Sequence, residues 1–161
     1  MNLSEIFLAG FTRRWHTNPA LAHIEDRVDG HSARVARIIL YYWPNASTAV
    51  LAAALRHDDG EAAIGDVKAP LKRARPDIAA ALDFVETAER IRLWGNADDD
   101  LSVPEAAILQ FADQLDAFMW AAHHGADLRR DGWRECRAWL ISAAHEWRID
   151  LPVCVTMVPQ P

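Results

Sequence analysis

Four side chains that can bind a metal interrupt the apolar faces of predicted helices: His31, His57, Asp58 and Asp113. An imidazole or a carboxylate is costly to bury unless it is paired or coordinates a metal. Two imidazoles and two carboxylates that converge from three helices would meet this requirement around one divalent cation. Such ligands suit Mn, Co, Zn, Ni, Fe or Mg, so the identity of the ion stays open. The alternative is that each histidine is a hydrogen-bonded core residue and that Asp113 pairs with an arginine.

A fifth polar residue, Glu61, follows Asp58 at a spacing of about one helical turn. A carboxylate in this position could relay protons for a reaction at the metal. A divalent metal supports hydrolysis because it lowers the pKa of a bound water molecule from about 16 to about 7. The pattern is therefore compatible with metal-assisted hydrolysis, and the alternative for Glu61 is a solvated acid at a helix end.

The elements that must position these residues are helices. Apolar residues recur at helical spacing between the scattered glycines, which predicts an all-α fold of about six helices. The predicted helices include residues 30–43, 47–58, 76–94, 102–124 and 127–147. Ser102 and Glu105 have the spacing of a capping box, which marks the start of the fourth of these helices.

The helix predicted over residues 76–94 is assigned an inner and an outer face. Its apolar residues are predicted to face the core: Ile78, Leu82, Val85 and Ala88. Its charged residues are predicted to face the solvent: Asp83, Glu86 and Arg90. Such a division is typical of an amphipathic helix on the surface of a globular domain.

Length and composition indicate one globular domain over residues 1–161. The chain is 51% hydrophobic and 25% charged, which excludes disorder as a description of the whole. Two cysteines are too few for a disulfide framework or a thiolate zinc site. The apolar runs are shorter than the ~20 residues that a membrane span needs, and no signal segment opens the chain. We therefore expect a soluble, cytoplasmic protein.

The net charge and the last residues bear on possible partners. A net charge of −6 argues against binding to a nucleic-acid polymer, which needs a broad basic face. Residues 152–161 are predicted to form an extended apolar tail with no partner in a six-helix domain. Such a tail could dock on a neighbouring subunit, so we expect a homo-oligomer.

The order of these residues and the motifs around them resemble the HD-domain phosphohydrolases. Within that superfamily the chain is most similar to the bacterial 5′-deoxynucleotidases and related phage deoxynucleotide hydrolases. The resemblance covers residues 14–117 in one consistent order. The motifs that carry it are Arg14-Trp15, Gly30-His31-Ser32 followed by Arg34-Val35-Ala36, His57-Asp58-x-x-Glu61, Gly65-Asp66-x-x-x-Pro70-x-Lys72 and Ala112-Asp113-Gln114-Leu115-Asp116-Ala117. The chain departs from the family at Gly30, where an acidic residue often precedes the first histidine.

The resemblance implies a compact HD-domain fold, a metal centre and an activity. The implied ligands of one divalent metal ion are His31, His57, Asp58 and Asp113. Glu61 would lie beside the metal-bound water as a proton carrier or as a residue that orients this water. The implied activity is that of a 5′-deoxynucleotidase, which converts a deoxynucleoside monophosphate and water into a deoxynucleoside and phosphate.

The resemblance also assigns roles toward the deoxynucleotide substrate. Arg14 would contact the phosphate, and Trp15 would pack on the sugar or exclude ribose. Asp66 would accept a hydrogen bond from the 3′-hydroxyl, and Lys72 would be a further phosphate contact. Two alternatives stay open: a triphosphohydrolase that releases triphosphate from a dNTP such as dATP, and a non-catalytic nucleotide-binding HD module.

Overall fold

A computed structural model describes residues 2–95, 101–130 and 132–157 of the chain. These residues confirm the all-α prediction, and the only β-type pairing among them is a single bridge between Arg13 and Arg27. Within these described ranges a 3₁₀ helix spans Asp59–Ala63, and there are eight α-helices: α1 (Leu3–Ala9), α2 (Val28–Tyr42), α3 (Thr48–Arg56), α4 (Ala69–Ala74), α5 (Pro76–Trp94), α6 (Val103–His123), α7 (Trp133–Trp147) and α8 (Val153–Thr156). The count exceeds six because short helices leave little periodicity in a sequence.

Helix α6 lies at the centre and contributes to two hydrophobic clusters. One cluster packs α6 against α7 and α8, with Phe111 and Phe118 fully buried. The other packs α2, α3 and α6 together through Val35, Val50 and Ala112, which are also inaccessible or nearly so. Since His31, His57 and Asp113 belong to these three helices or their ends, the second cluster determines how closely their side chains approach one another.

The starts of α3 and α6 are fixed by side-chain caps. Ser47 Oγ accepts a hydrogen bond from the Val50 backbone at 3.2 Å, and the capping box predicted for Ser102 and Glu105 is present. Ser47 Oγ also donates to Glu105 Oε1 at 2.5 Å. The two helix starts are therefore tied to each other as well as to their own backbones.

Helix α5 presents a different face to the rest of the molecule than its sequence predicts. Val85 is partly exposed, and Phe84 beside it is 76% exposed. The supposedly solvent-facing Glu86 and Arg90 are half-buried: Glu86 pairs with Lys72, and Arg90 donates to the His57 carbonyl at 3.0 Å. The predicted orientation is wrong over this part because α5 packs on the polar 3₁₀ helix instead of an apolar layer.

A close backbone approach joins the 3₁₀ helix to α5. A Cβ atom added to Gly60 would lie 2.2 Å from the Glu86 carbonyl oxygen and 2.7 Å from its carbon. Real Cβ atoms do not come this near to backbone, so only glycine fits here without a shift. The approach holds the segment that carries Asp58 and Glu61 against α5.

The carboxyl-terminal residues also differ from their prediction. Val153–Thr156 form α8 instead of an extended tail, and Val155 is fully buried in the core of its own chain. Arg137 Nε donates to the Val155 carbonyl oxygen at 2.6 Å. Val155 therefore packs within its own chain, whereas Val153 and Met157 are exposed, and the homo-oligomer stays a prediction. Residues 158–161 of the predicted tail lie outside the described residues.

Helix α7 begins at Trp133, later than predicted, because Gly132 before it adopts a left-handed conformation with φ of 83°. Among the residues that the structure describes, no helix combines the length and hydropathy needed to cross a bilayer.

Candidate metal centre and adjoining cavity

The metal-capable residues are delivered by the ends and faces of three helices. His31 lies in the first turns of α2 and is completely buried, and His57 ends α3. Asp58 follows directly as the residue before the 3₁₀ helix, and Asp113 lies in the middle of α6. Because α2, α3 and α6 share one hydrophobic cluster, the four side chains meet at one point.

The distances within this cluster fit a metal ion. His31 Nε2 lies 3.2 Å from each of His57 Nε2, Asp58 Oδ2 and Asp113 Oδ1. His57 Nε2 lies 3.3 Å from Asp58 Oδ1 and 3.9 Å from Asp113 Oδ1. Ligands about 2.1 Å from a metal stand about 3.0 Å apart in an octahedron and about 3.4 Å apart in a tetrahedron. A group of His31, His57 and Asp113 could thus hold a metal ion, and Asp58 contacts both imidazoles of this group.

The hydrogen bonds on the far side of each imidazole determine which nitrogen faces the cluster. His31 Nδ1 lies 2.7 Å from Asp116 Oδ2, and His57 Nδ1 lies 3.0 Å from the Ala54 carbonyl oxygen. Both partners are acceptors, so each Nδ1 carries a proton, and in its neutral form each ring turns the lone pair of Nε2 toward the other. Two lone pairs 3.2 Å apart repel unless a proton or a cation lies between them. This is the arrangement of metal-binding histidines held by a partner behind the ring.

The charges of the cluster favour a cation at its centre. Burial lowers the pKa of His31, but hydrogen bonds to Asp113, Asp116 and Asp58 outweigh burial and raise this pKa well above its ordinary value. Burial raises the pKa of Asp113, but the two histidines outweigh it and hold this pKa well below the usual range. The carboxylates therefore stay ionised, and in the metal-free protein the imidazoles attract the protons that a cation would replace.

Glu61 lies in the 3₁₀ helix, where its backbone N–H donates to the Asp58 carbonyl at 2.9 Å. Its side chain is 8% exposed, and Oε2 has no hydrogen-bond partner among the described residues. Burial and the nearby carboxylates of Asp58, Asp66 and Glu86 raise the pKa of Glu61 to about 9. Glu61 is thus a neutral carboxylic acid at pH 7 in the metal-free protein.

A cavity of about 240 Å³ opens beside the metal-capable cluster. Two of the cluster carboxylates, Asp58 and Asp113, line it together with Glu61. All four residues that the family resemblance assigns to substrate contacts line the same cavity: Arg14, Trp15, Asp66 and Lys72. These four residues, which span 59 positions of the chain from 14 to 72, are therefore brought to one cavity.

Trp15 and Asp66 are joined to each other. The Trp15 backbone N–H donates to Asp66 Oδ2 at 2.6 Å. Trp15 has a φ of 64°, a left-handed conformation that a bulky residue adopts only when its surroundings impose it. One oxygen of Asp66 therefore stabilises a strained residue of the cavity wall.

The two cationic residues of the predicted site already have acidic partners. Lys72 Nζ lies 2.9 Å from Glu86 Oε1. The Arg14 guanidinium is nearly buried, and its NH1 donates to Asp26 Oδ2 at 3.2 Å. Arg14 is held in place at the cavity wall. The Lys72 ammonium would have to interact with both Glu86 and any phosphate that it contacts.

Sequence reasoning gave no role to three charged residues behind the site, Asp26, Arg34 and Asp116, although Arg34 and Asp116 belong to motifs of the family resemblance. Two of them carried a usable signal. Arg34 follows His31 by three positions and Asp116 follows Asp113 by three, so each shares a helix face with a metal-capable residue. Asp26 lies in a loop, where no periodicity marks it. Gly30 stands where the family often has an acidic residue. A Cβ atom added to Gly30 would lie 3.4 Å from Arg34 NH1, so Arg34 lies next to this position.

Comparison with known family models, curated proteins and solved structures gives no match to this chain. The function is therefore inferred from the sequence motifs, the cluster and the cavity.

Proposed function

We propose that this chain is a metal-dependent phosphohydrolase that converts 2′-deoxynucleoside 5′-monophosphates and water into deoxynucleosides and phosphate, like the HD-domain enzymes that its sequence resembles. The observation that carries the proposal is the pair of imidazoles whose Nε2 atoms face each other between two carboxylates, at the edge of a cavity. A scaffold has no use for such a cluster, because it is costly to bury without a cation.

The metal would be held by His31, His57, Asp58 and Asp113, and the donor set suits Mn, Co, Zn, Ni, Fe or Mg. A divalent ion in this position makes water more acidic and neutralises negative charge on phosphoryl oxygens. Asp58 and Asp113 line the cavity, so the open side of the ion would face the substrate. Asp116 and the Ala54 carbonyl hold the two rings in the tautomer that binds metal.

Arg14 and Glu61 supply charge and a proton. The Arg14 guanidinium at the cavity wall binds the non-bridging oxygens of the phosphate and stabilises their charge as the ester bond breaks. Burial and nearby carboxylates raise the pKa of Glu61 in the metal-free protein, and Oε2 has no partner in the described part of the chain, so Glu61 is placed to carry a proton in the cavity. Glu61 passes this proton to the leaving 5′-oxygen, which would otherwise depart as an alkoxide.

Trp15 and Asp66 recognise the sugar. Trp15 lines the cavity, where its ring would pack on the sugar or exclude ribose, and exclusion would explain a preference for deoxyribose. Asp66 Oδ2 accepts a hydrogen bond from the Trp15 backbone N–H. The Asp66 carboxylate also accepts a hydrogen bond from the 3′-hydroxyl of the substrate. The Asp66 carboxylate thus holds Trp15 in the cavity wall and orients the sugar.

Cations on the cavity wall favour a second candidate, the release of triphosphate from a dNTP. Lys68 and Arg73 line the cavity together with Lys72, so positive charge extends beyond Arg14. These residues would contact the outer phosphates of a triphosphate. Attack would still occur at the phosphorus next to the 5′-oxygen, so the same catalytic residues serve both reactions.

Turnover of defined nucleotides tests the proposal. The purified protein is incubated with dAMP, AMP and dATP at several concentrations of Mn²⁺ or Co²⁺, and phosphate, triphosphate and nucleoside are quantified. We expect phosphate from dAMP, little from AMP and none without metal. Triphosphate from dATP would favour the second candidate. Metal binding without cleavage of any nucleotide would identify a non-catalytic module and refute the enzymatic proposal.

A further inference from the structure

A charge network lies behind the cavity wall, and all of its members except Arg34 are buried. It consists of two carboxylates and two guanidiniums: Asp26, Asp116, Arg14 and Arg34. Asp26 and Asp116 are each only 4% exposed, and of the four residues only Arg14 is part of the cavity lining. The network is balanced in charge, as buried ionic groups must be.

One oxygen of Asp26 holds two residues of the cavity wall. Asp26 Oδ2 accepts a hydrogen bond from Arg14 NH1 at 3.2 Å and another from Trp15 Nε1 at 3.0 Å. The Arg14 guanidinium also lies over the Trp15 ring, 4.8 Å from its centroid. The guanidinium and the indole are thus oriented by the same carboxylate.

Arg34 connects Asp26 to the metal-capable cluster. Its NH2 donates to both oxygens of Asp26 at 3.0 Å, and its Nε donates to Asp116 Oδ1 at 2.7 Å. The guanidinium packs over Trp120, 4.1 Å from the ring centroid, which fixes its plane. The other oxygen of Asp116 accepts from His31 Nδ1 at 2.7 Å.

We propose that Asp26 is a positioning residue, which orients Arg14 and Trp15 toward the substrate and is linked through Arg34 to Asp116, the residue that orients His31. This inference rests on the proposed function. The contacts indicate different roles for the two carboxylates. Asp26 contacts Arg14 and Trp15, the proposed phosphate and sugar contacts, whereas Asp116 contacts the metal-capable His31.

Two isosteric variants separate these roles. Asp26→Asn keeps the shape but loses the charge that holds Arg14 and Trp15. We expect the KM for dAMP to rise about 10-fold or more, with a smaller change in kcat and with the Kd for Co²⁺ within about twofold of wild type. Asp116→Asn is expected to weaken Co²⁺ binding about 10- to 100-fold and to change the KM less at saturating metal. The matched control is Glu25→Gln, which removes the neighbouring exposed carboxylate and should change neither quantity.

A nuclear magnetic resonance measurement tests the contact between Asp26 and Trp15 independently of turnover. The Nε1–H resonance of Trp15, assigned by its loss in Trp15→Phe, should shift in Asp26→Asn and stay in place in Glu25→Gln. Arg34→Lys keeps the positive charge but loses the planar guanidinium that donates to Asp26 and Asp116 together. This variant should therefore weaken both dAMP and Co²⁺ binding. This variant also tests the link between the two ends if Asp26→Asn fails to fold.

Three outcomes would overturn the inference: an unmoved Trp15 resonance in folded Asp26→Asn, an unchanged KM in that variant, or a loss of Co²⁺ affinity in it as large as in Asp116→Asn. A wild-type protein that cleaves no nucleotide would refute the proposed function instead. The indole resonance and the Co²⁺ titration would still decide whether the network positions these residues.

Discussion

Replacing Glu61 by glutamine is expected to stabilise the metal-free protein increasingly as the pH rises, although it abolishes turnover. The folded protein keeps the Glu61 carboxyl protonated because burial and the carboxylates of Asp58, Asp66 and Glu86 raise its pKa to about 9. The unfolded chain releases this proton above its ordinary pKa of 4.5. Glutamine has nearly the same shape and no proton to lose.

The size of the effect follows from the linkage between protonation and folding. Between pH 4.5 and pH 9 the folded state binds more protons at Glu61 than the unfolded state, so stability falls as the pH rises. The slope is about 1.4 kcal/mol for each pH unit, which amounts to about 3 kcal/mol between pH 5 and pH 7. Both pH values lie well below 9, so the folded state keeps the Glu61 carboxyl protonated over the whole range.

Urea unfolding of the metal-free protein in the presence of a chelator measures this difference at pH 5, 6 and 7. The free energy of unfolding of Glu61→Gln should exceed that of the wild type by an amount that grows with pH. Glu146→Gln makes the same chemical change at an exposed position of α7, and its difference from the wild type should not grow in this way. A difference between Glu61→Gln and wild type that stays constant with pH would refute the assigned charge state of Glu61.

The remaining predictions concern the metal, a close backbone approach and the last helix. Asp58→Ala removes a proposed ligand and should weaken Co²⁺ binding by more than about 100-fold in a calorimetric titration, with loss of turnover; unchanged binding would exclude Asp58 as a ligand. Gly60→Ala should destabilise the protein by about 2 kcal/mol or more, because its Cβ would meet the backbone of α5. Gly30→Ala, whose Cβ would lie 3.4 Å from its nearest neighbour, should leave the free energy of unfolding unchanged or raise it by up to about 1 kcal/mol. Equal effects of the two substitutions would contradict the close approach. Val155→Ala should cost about 2 kcal/mol because the side chain is fully buried. Val153→Ala on the same helix is the control, since Val153 is 67% exposed, and an equally large loss there would contradict the docking of α8 on its own core.

Several features were predictable because they depend on residues close together in the chain. The capping box of Ser102 and Glu105 spans one turn, and it starts α6 as predicted. The convergence of His31, His57, Asp58 and Asp113 was also predictable, because each interrupts an apolar face and a buried polar group needs a partner. Helical periodicity indicates which residues point inward, and inward residues of packed helices meet.

The orientation of α5 was not predictable from its own sequence. Apolar and polar residues are distributed on both of its sides, and the side that packs depends on what the rest of the fold offers. The 3₁₀ helix offers polar groups and a glycine without a side chain, so Glu86 and Arg90 turn inward and Phe84 stays exposed. Likewise, α8 packs on the core through Val155, a long-range contact that the local sequence does not indicate.

The sequence by itself determined the helical class and the metal-capable side chains, because helical periodicity is a property of neighbouring positions. The family resemblance of its local motifs pointed to Arg14, Trp15, Asp66 and Lys72, which line the cavity. Only the tertiary structure decided which groups lie behind them. Asp116 is 85 positions from the histidine that it orients, and Asp26 and Arg34 reach their partners across different elements. Such contacts depend on how helices pack and not on the spacing within any one of them, so the charge network became visible only in the folded chain.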